Sequence, residues 1–394
     1  MLRALVGLGL WGLLSASALA GFSSELGLEL RYFPTSGLDG QDQFHPSLRA
    51  ELEYTHSLED DSFEVVLFGR ADKEDSERSH FDVREAAWTH VGDDWELKAG
   101  ITKVFWGVTE SRHLVDVINQ SDLVENVDGE DKLGQLMTKL SLERDWGTVD
   151  LFWLPYFRER TFAGIDGRLR SPLAIQVDDA QYESGAQRWH SDVAIRYSHY
   201  IDDFEFAFSH FSGTSRDPLL ILGVSGSTPV LTPLYTTVDQ TGVELQYLWE
   251  EWIFKFEGIS NSGVGQRYSA AVSGFEYTQV GIFDSNADLG WIAEYLFDDR
   301  KQAAPHSFER DVFLAWRYAF NDADSSEILG GMIYDPKTNE KVFSVEVSQR
   351  IASDVKLNIE GRVFENGRLP QQSNDKNWFL EDEDYVQVEI VKYF

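Results

Sequence analysis

The chain contains no cysteine among its 394 residues. This excludes disulfide bonds, thiolate metal sites and a cysteine nucleophile. Basic residues are also scarce, since 34 Lys and Arg stand against 67 Asp and Glu and give a formal net charge of −33. That negative charge repels nucleic acids and excludes a nucleic-acid-binding role. Aromatic residues nevertheless make up 13% of the chain, which excludes an acidic disordered polypeptide.

Long apolar runs are absent beyond the first 20 residues. Those residues have the pattern of a signal peptide: Arg3 precedes the apolar stretch 5–14, and Ala18-Leu19-Ala20 is a small-residue cleavage site. We expect residues 1–20 to be removed after Sec-type export and residues 21–394 to form one domain. Without a transmembrane helix, the mature chain is either an exported soluble protein or a membrane β-barrel.

Apolar and polar residues alternate with a period of two along the mature chain. In the run 48–55, for example, Leu52 lies on an apolar face and Glu51 on a charged face. Such alternation predicts β-strands with two different faces. For a barrel, we expect the apolar face to contact lipid and the charged face to contact water. The first group includes Leu52, Phe206, Leu245 and Leu314, and the second includes Glu51 and Glu257.

Three further features favour a transmembrane barrel over a soluble sandwich. Aromatic residues cluster near the ends of the apolar faces, as in the girdles of membrane barrels. Tight turns rich in Asp and Glu alternate with longer connections, notably those at 107–132, 158–188, 214–235 and 366–380. The last alternating run closes on Phe394, a usual ending of Gram-negative outer-membrane barrels, although Lys392 departs from the pattern.

Counting the alternating runs predicts an all-β, antiparallel transmembrane barrel of about 18 strands, with about 16 as the alternative. An even number places both termini and all tight turns on the periplasmic side, and the long loops outside. A barrel of this size encloses an aqueous channel.

The connection 107–132 is the candidate constriction of this channel. Leu114, Val117 and Ile118 have the spacing of one helical face, which predicts a short helix over 113–120. Such a segment either folds into the channel or caps its rim, and we favour folding inward. The candidate constriction residues are Glu110, Arg112, Asp116, Glu125 and Asp128.

Five arginines are predicted to form a basic patch on the channel wall. Their strand positions place them on the inward face, in the outer half of neighbouring strands: Arg31, Arg49, Arg70, Arg84 and Arg362. The acidic loop would face this patch and leave the pore weakly ion-selective despite the net charge. The alternative is that each arginine pairs with a neighbouring glutamate and only holds the wall rigid.

A second group of arginines occurs in the long connection 158–188. Arg158, Arg160, Arg168 and Arg170 are candidates for docking an anionic ligand at the cell surface. The alternative is pairing with the acidic stretch 122–131. That stretch resembles a calcium loop in composition but lacks its ligand spacing. We expect a solvated or arginine-paired loop, with adventitious calcium binding as the alternative.

Catalytic and metal-binding patterns are not found. The nine histidines are scattered without ligand spacing. Ser209 and His210 are adjacent, but adjacent strand residues point to opposite faces and cannot form a nucleophile–base pair. We therefore expect no enzyme activity, no cofactor and no metal.

Three segments carry a resemblance to a known group of proteins. They are residues 105–120 (Phe-Trp-Gly-Val-Thr-Glu-Ser-Arg-His-Leu-Val-Asp-Val-Ile-Asn-Gln), 157–162 (Phe-Arg-Glu-Arg-Thr-Phe) and 209–215 (Ser-His-Phe-Ser-Gly-Thr-Ser). With them the chain resembles a set of uncharacterised, porin-like proteobacterial outer-membrane β-barrels. A more distant similarity to alginate-export-type porins begins at Lys98-Ala-Gly100, but Ile101-Thr-Lys103 departs from their signature. The resemblance implies the fold and an outer-membrane location, and no substrate.

The sequence thus predicts a porin-like channel for passive diffusion of small hydrophilic solutes across a Gram-negative outer membrane. The alternative is a non-conducting barrel with an adhesive or assembly role. Expected partners are outer-membrane lipid and lipopolysaccharide, the barrel-assembly machinery acting through Phe394, and a small hydrophilic solute.

Overall fold

The structure is a computed structural model that describes residues 20–263, 265–301, 304, 309–365 and 378–394. Residues 1–19 of the predicted signal peptide lie outside this part of the chain. Most of the connection predicted at 366–380 also lies outside it.

Twenty-one strands occur in the described residues. In chain order they are β1 (Ala20–Tyr32), β2 (Phe44–Leu58), β3 (Asp61–Asp72), β4 (Phe81–Val91), β5 (Trp95–Thr102), β6 (Gln135–Arg144), β7 (Gly147–Leu154), β8 (Gln181–Tyr182), β9 (Asp192–Ile201), β10 (Phe204–Thr214), β11 (Leu219–Ser225), β12 (Thr228–Tyr235), β13 (Thr237–Trp249), β14 (Trp252–Ser262), β15 (Tyr268–Gln279), β16 (Asp288–Asp298), β17 (Val312–Ala319), β18 (Glu327–Tyr334), β19 (Lys341–Ala352), β20 (Val355–Glu365) and β21 (Tyr385–Tyr393). Short 3-10 turns occur at Val177–Asp179, Gln187–Trp189, Ile282–Asp284 and Trp378–Leu380.

Eighteen of these strands form one closed antiparallel barrel. Each strand pairs with its neighbours, and β1 closes the barrel on β21, where Leu28 lies opposite Ile390. The predicted fold class, an outer-membrane-type antiparallel barrel of 18 strands, is confirmed. The remaining three strands, β8, β11 and β12, form a small separate sheet that the sequence did not predict.

The connections differ in length at the two ends of the barrel. At the end that we call the turn end, several connections are two residues long, and Asp202 and Glu250 adopt left-handed backbone conformations there. Asp suits such positions because its side chain bonds its own backbone. The opposite end, the loop end, carries the long segments 103–134, 155–191 and 215–236. This alternation follows the predicted one.

The two faces of the wall have the predicted character. Apolar side chains such as Leu52 and Leu314 are exposed on the outside. Aromatic side chains stand near both ends of this outer face, including Phe22, Tyr54, Trp146, Trp249 and Trp291 at the turn end and Tyr32, Phe44, Phe81, Trp153 and Tyr295 at the loop end. No helix among the described residues is long and apolar enough to cross a membrane.

The inner face has an apolar part and a charged part. Between β6 and β17, buried apolar side chains point inward, among them Met137, Phe152, Phe211, Val238, Ile259, Ile292 and Phe313. On β1–β4, β20 and β21 the inward positions carry mainly Arg and Glu. This division determines where the inserted segments pack.

A β-bulge interrupts the pairing of β3 and β4. Val66 lies opposite Glu85 while Leu67 lies opposite Val83, so Arg84 is the extra residue. The bulge directs the side chains of two successive residues, Arg84 and Glu85, inward. Arg84 pairs with the segment 103–134, and Glu85 lies 3.4 Å from the amine of Lys98.

The assignment of the faces makes a prediction for the adjacent residues Leu52 and Glu51. Leu52→Arg places a charge on the outer face near the middle of β2 and should cost about 2–4 kcal/mol. Glu51→Gln changes an inward, half-buried side chain, and should cost less than about 1 kcal/mol. The free energies of unfolding from lipid vesicles in urea measure both values. Equal costs would contradict the assignment of the two faces.

Candidate functional site

The segment 103–134 is bound to the inner wall by carboxylates. The principal one is Glu257 of β14, whose side chain is fully buried. Its carboxylate accepts hydrogen bonds from the backbone N–H groups of Val108 at 2.7 Å, Thr109 at 2.9 Å and Val115 at 3.3 Å. The prediction that Glu257 points to water is therefore wrong, because the inserted segment covers it.

Two further wall carboxylates act in the same way. Glu294 of β16 accepts hydrogen bonds from the backbone N–H groups of Glu110 and Ser111, each at 2.8 Å. Glu244 of β13 accepts one from Gly107 at 3.2 Å. A segment without strand or helix partners must satisfy its backbone donors by other means. The wall supplies the acceptors for this stretch.

Apolar contacts hold the next part of the segment. Val115 and Ile118 are completely buried, and Val117 nearly so, in one cluster with Trp106 and wall residues of β6–β15. The predicted helix over 113–120 is wrong, because these residues have no helical structure. Three of them are β-branched, which disfavours a helix, and the wall carboxylates provide backbone partners that a helix would otherwise supply.

His113 connects the segment to itself and to the wall. Its ring nitrogens lie 3.8 Å from the carboxylate of Glu257 and 3.5 Å from that of Glu130. Burial lowers the pKa of His113, but the attraction of the two glutamates for the charged ring outweighs it and raises the pKa to about 10. The imidazole is therefore cationic at neutral pH.

The predicted basic patch lies across the lumen from this anchor. Arg31 and Arg70 converge on the buried carboxylate of Glu29, at 3.5 Å and 3.0 Å. Arg78 joins them at 2.8 Å from the connection between β3 and β4. Arg70 also pairs at 2.7 Å with Glu125 of the inserted segment.

The other three patch arginines also have carboxylate partners. Arg84 lies 2.6 Å from Asp122, and Arg49 pairs with both Glu25 and Glu389. Arg362 pairs at 2.8 Å with Asp128 and at 2.7 Å with Glu360. All five predicted arginines are thus ion-paired, partly with the wall and partly with the segment 103–134.

The remaining constriction candidates lie at separate points. Glu110 pairs at 2.7 Å with Arg317 of β17. Burial lowers the pKa of Arg112, and the charges of Asp217 and Asp298 oppose this effect. Burial raises the pKa of Asp116, whose carboxylate lies 3.2 Å from the amine of Lys132 within the segment. Only Glu125 and Asp128 of the five candidates pair with the basic patch.

A cavity of about 510 Å³ remains between the segment and the charged part of the wall. Seven cationic and six anionic side chains line it, so their charges nearly balance. The cationic ones are Arg31, Arg49, Arg70, Arg78, Arg84, Lys103 and Lys132, and the anionic ones are Glu29, Glu51, Glu125, Glu130, Asp131 and Glu389. Four of the five predicted patch arginines line this cavity, and Arg362 does not.

Asp131 is the cavity acid whose pKa is raised most. Partial removal from bulk water inside the barrel, and then the negative charges of Glu125, Asp128 and Asp122, raise the pKa of Asp131 to about 6. Its side chain has no hydrogen-bond or ion-pair partner among the described residues. Asp131 is thus ionised at neutral pH and available to a cationic group.

The segment 155–191 lies across the loop end. It leaves the barrel at β7 and returns at β9, but its middle is bound to the opposite rim. There the guanidinium of Arg168 lies 2.8 Å from Glu383, stacks on Phe33, and donates a hydrogen bond to the carbonyl oxygen of Thr35. Below it, a second cavity of about 20 Å³ has room for about one water molecule.

All four arginines proposed to dock an anion are ion-paired. Their partners are Asp82 for Arg158, Asp217 for Arg160, Glu383 for Arg168 and Asp39 for Arg170. None of these acids belongs to the stretch 122–131, so the alternative prediction, pairing with that stretch, is wrong. The arginines bind the segment 155–191 to the rest of the loop end.

The sequence did not reveal Glu244, Glu257, Glu294 and Arg78 as site residues. Alternation placed the three glutamates on an inward face, but it contained no sign that a segment would bind them. Among the described residues, no group of three or more acidic or histidine side chains has the arrangement of a metal site.

Comparisons with known proteins bear on the fold. No protein-family model and no curated protein sequence matches the chain. Among solved structures, the chain is similar to Wzi, an Escherichia coli outer-membrane protein involved in group 1 capsule assembly and described as a carbohydrate-binding β-barrel. That match has 10% identity and a TM-score of 0.56, and covers 95% of this chain and 84% of Wzi.

Two further matches have lower scores. A porin variant from Rh. blastica has 12% identity and a TM-score of 0.45, covering 95% of this chain and 100% of the porin. OprB from Pseudomonas putida has 10% identity and a TM-score of 0.45, covering 95% of this chain and 94% of OprB. At this level of identity, the likeness to Wzi shows the fold alone.

The anchoring carboxylate makes a prediction for stability. Glu257→Leu leaves the N–H groups of Val108, Thr109 and Val115 without an acceptor and should lower the free energy of unfolding by about 3–5 kcal/mol. Urea unfolding in lipid vesicles measures this loss. Limited proteolysis should cut the segment 103–134 faster in the variant.

Glu257→Gln retains an acceptor oxygen and should recover much of the loss. Glu205→Leu, at an exposed position near the turn end, is the control and should change stability little. A cost for Glu257→Leu as small as that of the control would show that the segment is held by its apolar contacts alone.

Proposed function

We propose that this protein is a non-catalytic channel for passive diffusion of small hydrophilic solutes. It lies in the outer membrane of a Gram-negative bacterium, and the chain reaches that membrane after Sec-type export. The observation that carries the proposal is the charged cavity of about 510 Å³ inside the barrel. Its lining is polar along the wall of β1–β4 and along the inserted segment. A solute that crosses there exchanges its hydration water for charged and hydrogen-bonding side chains.

The outer surface supports a membrane location. Its apolar band with aromatic residues at both ends suits contact with outer-membrane lipid toward the turn end and with lipopolysaccharide toward the loop end. The C-terminal ring of Phe394 is exposed, while its backbone N–H donates to the carbonyl oxygen of Ser24 at 2.9 Å. An exposed terminal ring on the closing strand is suited to recognition by the barrel-assembly machinery.

The pairing of charges supports weak ion selectivity. Arg49, Arg70 and the other patch arginines have carboxylate partners, and the cavity lining is nearly neutral. The net charge of −33 therefore does not make the passage strongly cation-selective. The segment 155–191 narrows the entrance at the loop end, which favours a passage for small solutes over a wide pore.

The second candidate function is a non-conducting barrel that binds carbohydrate in an adhesive or assembly role. Two observations favour it: the segment 155–191 covers the loop end, and the fold is similar to that of Wzi. Ser209 and His210 give no support to an enzyme, since Ser209 is buried inside and the exposed His210 bonds Thr241 at 3.0 Å.

Conductance in planar bilayers distinguishes the two candidates. Purified protein that migrates as a folded barrel should give discrete current steps in potassium chloride. Traces that stay closed at all voltages, from protein shown to be folded, would overturn the channel proposal and favour the non-conducting barrel.

The basic patch makes a prediction for selectivity. Replacing Arg49 and Arg70 together by Gln leaves Glu25, Glu29, Glu125 and Glu389 with less compensating charge. The reversal potential in a potassium chloride gradient should move toward the equilibrium potential of potassium, because fixed negative charges in a pore select against anions.

The matched control for this experiment is Arg144→Gln, since Arg144 pairs with Asp94 at the turn end and does not line the cavity. It should leave the reversal potential unchanged. An unchanged potential in the double variant would make the patch a structural element of the wall only.

Topology makes a separate prediction. A peptide tag inserted at Gly226, in the exposed turn between β11 and β12, should be accessible to antibody on intact cells. The same tag at Asp203, in a tight turn, should be accessible only after the outer membrane is permeabilised. The opposite result would show that the turn end, and not the loop end, faces the cell surface.

A further inference from the structure

Three ionisable side chains that line the cavity have no hydrogen-bond or ion-pair partner among the described residues. They are Glu51, Lys103 and Asp131. Most of the other lining charges are joined in the pairs described above. The paired side chains form a framework, whereas these three are free to exchange water for a solute.

The three groups come from different parts of the cavity wall. Glu51 projects inward from the middle of β2. Lys103 directly follows β5, and Asp131 precedes β6 by four residues, so both stand at the base of the inserted segment. Lys103 is close enough for its positive charge to stabilise the ionised carboxylate of Glu51. A cation and two anions thus face one space.

We propose that this cavity is a binding site for a small zwitterion, a solute with one carboxylate and one ammonium group such as a free amino acid. The inference rests on the proposed channel function and specifies its solute class. The carboxylate of the solute pairs with Lys103, and its ammonium group pairs with Glu51 and Asp131.

Other classes of solute match the free groups less well. A monoanion pairs with Lys103 but is repelled by Glu51 and Asp131. A monocation pairs with the acids but is repelled by Lys103 and the arginines behind it. A neutral polyol forms hydrogen bonds but no ion pair. The cavity volume of about 510 Å³ lies within the range of small-molecule sites.

Swelling of proteoliposomes tests the proposal with four solutes of equal heavy-atom count. They are alanine as the zwitterion, lactate as the anion, alaninamide as the cation and glycerol as the neutral solute. At pH 7.5 alanine should enter roughly fivefold faster than each of the others when compared at equal concentration, as two partly exposed ion pairs would allow.

Substitutions test whether Lys103, Glu51 and Asp131 bind the charged groups of the solute. Lys103→Gln, and separately Glu51→Gln with Asp131→Asn, should lower the rate for alanine to that of glycerol and leave the glycerol rate unchanged. Arg144→Gln at the turn end is the matched control and should retain the preference for alanine. Heat-modifiable migration in gels confirms that each variant is folded.

Each outcome decides one question. Equal entry of all four solutes would overturn the zwitterion site and leave the channel function standing. If lactate, alaninamide or glycerol entered fastest, the zwitterion proposal would be wrong, and the preferred solute would be an anion, a cation or a neutral molecule, respectively. A preference that survives Lys103→Gln would also overturn the proposal. Entry of none of the four would instead contradict the channel function itself.

Discussion

The interior of this barrel depends on carboxylates of the wall that accept hydrogen bonds from the backbone of an inserted segment. Glu257 and Glu294 bind consecutive N–H groups between Val108 and Ser111. A segment that crosses the lumen without regular structure would otherwise leave these donors unsatisfied, at a cost of about 1–3 kcal/mol each. The segment 103–134 can therefore keep an extended, irregular course inside the barrel.

The position of the segment follows from the division of the inner wall. Its apolar residues, such as Val115 and Ile118, pack on the apolar wall of β6–β15, where burial removes them from water. Its acidic residues then face the charged wall of β1–β4, where Glu125 pairs with Arg70. The cavity is the space that remains between these two attachments.

The charged wall is balanced by internal pairing. Three arginines pair with Glu29, and the others pair with carboxylates of β21, β20 and the inserted segment. Buried arginines are tolerated only when their charges are compensated in this way. As a consequence, the ionisable groups open to a solute are few, and the large net charge of the chain says little about the passage.

The sequence by itself determined the barrel, because period-2 alternation and short turns are local properties of the chain. The 18 strands and the inward side of Glu257 followed from it. The tertiary structure alone decided what lies on that inward side. Whether Glu257 meets water or the N–H of Val108 depends on a segment about 150 residues away in the chain, and the partner of Arg168 lies across the barrel at Glu383. Such contacts arise only when the closed barrel brings distant segments together, so neither local periodicity nor composition contains them.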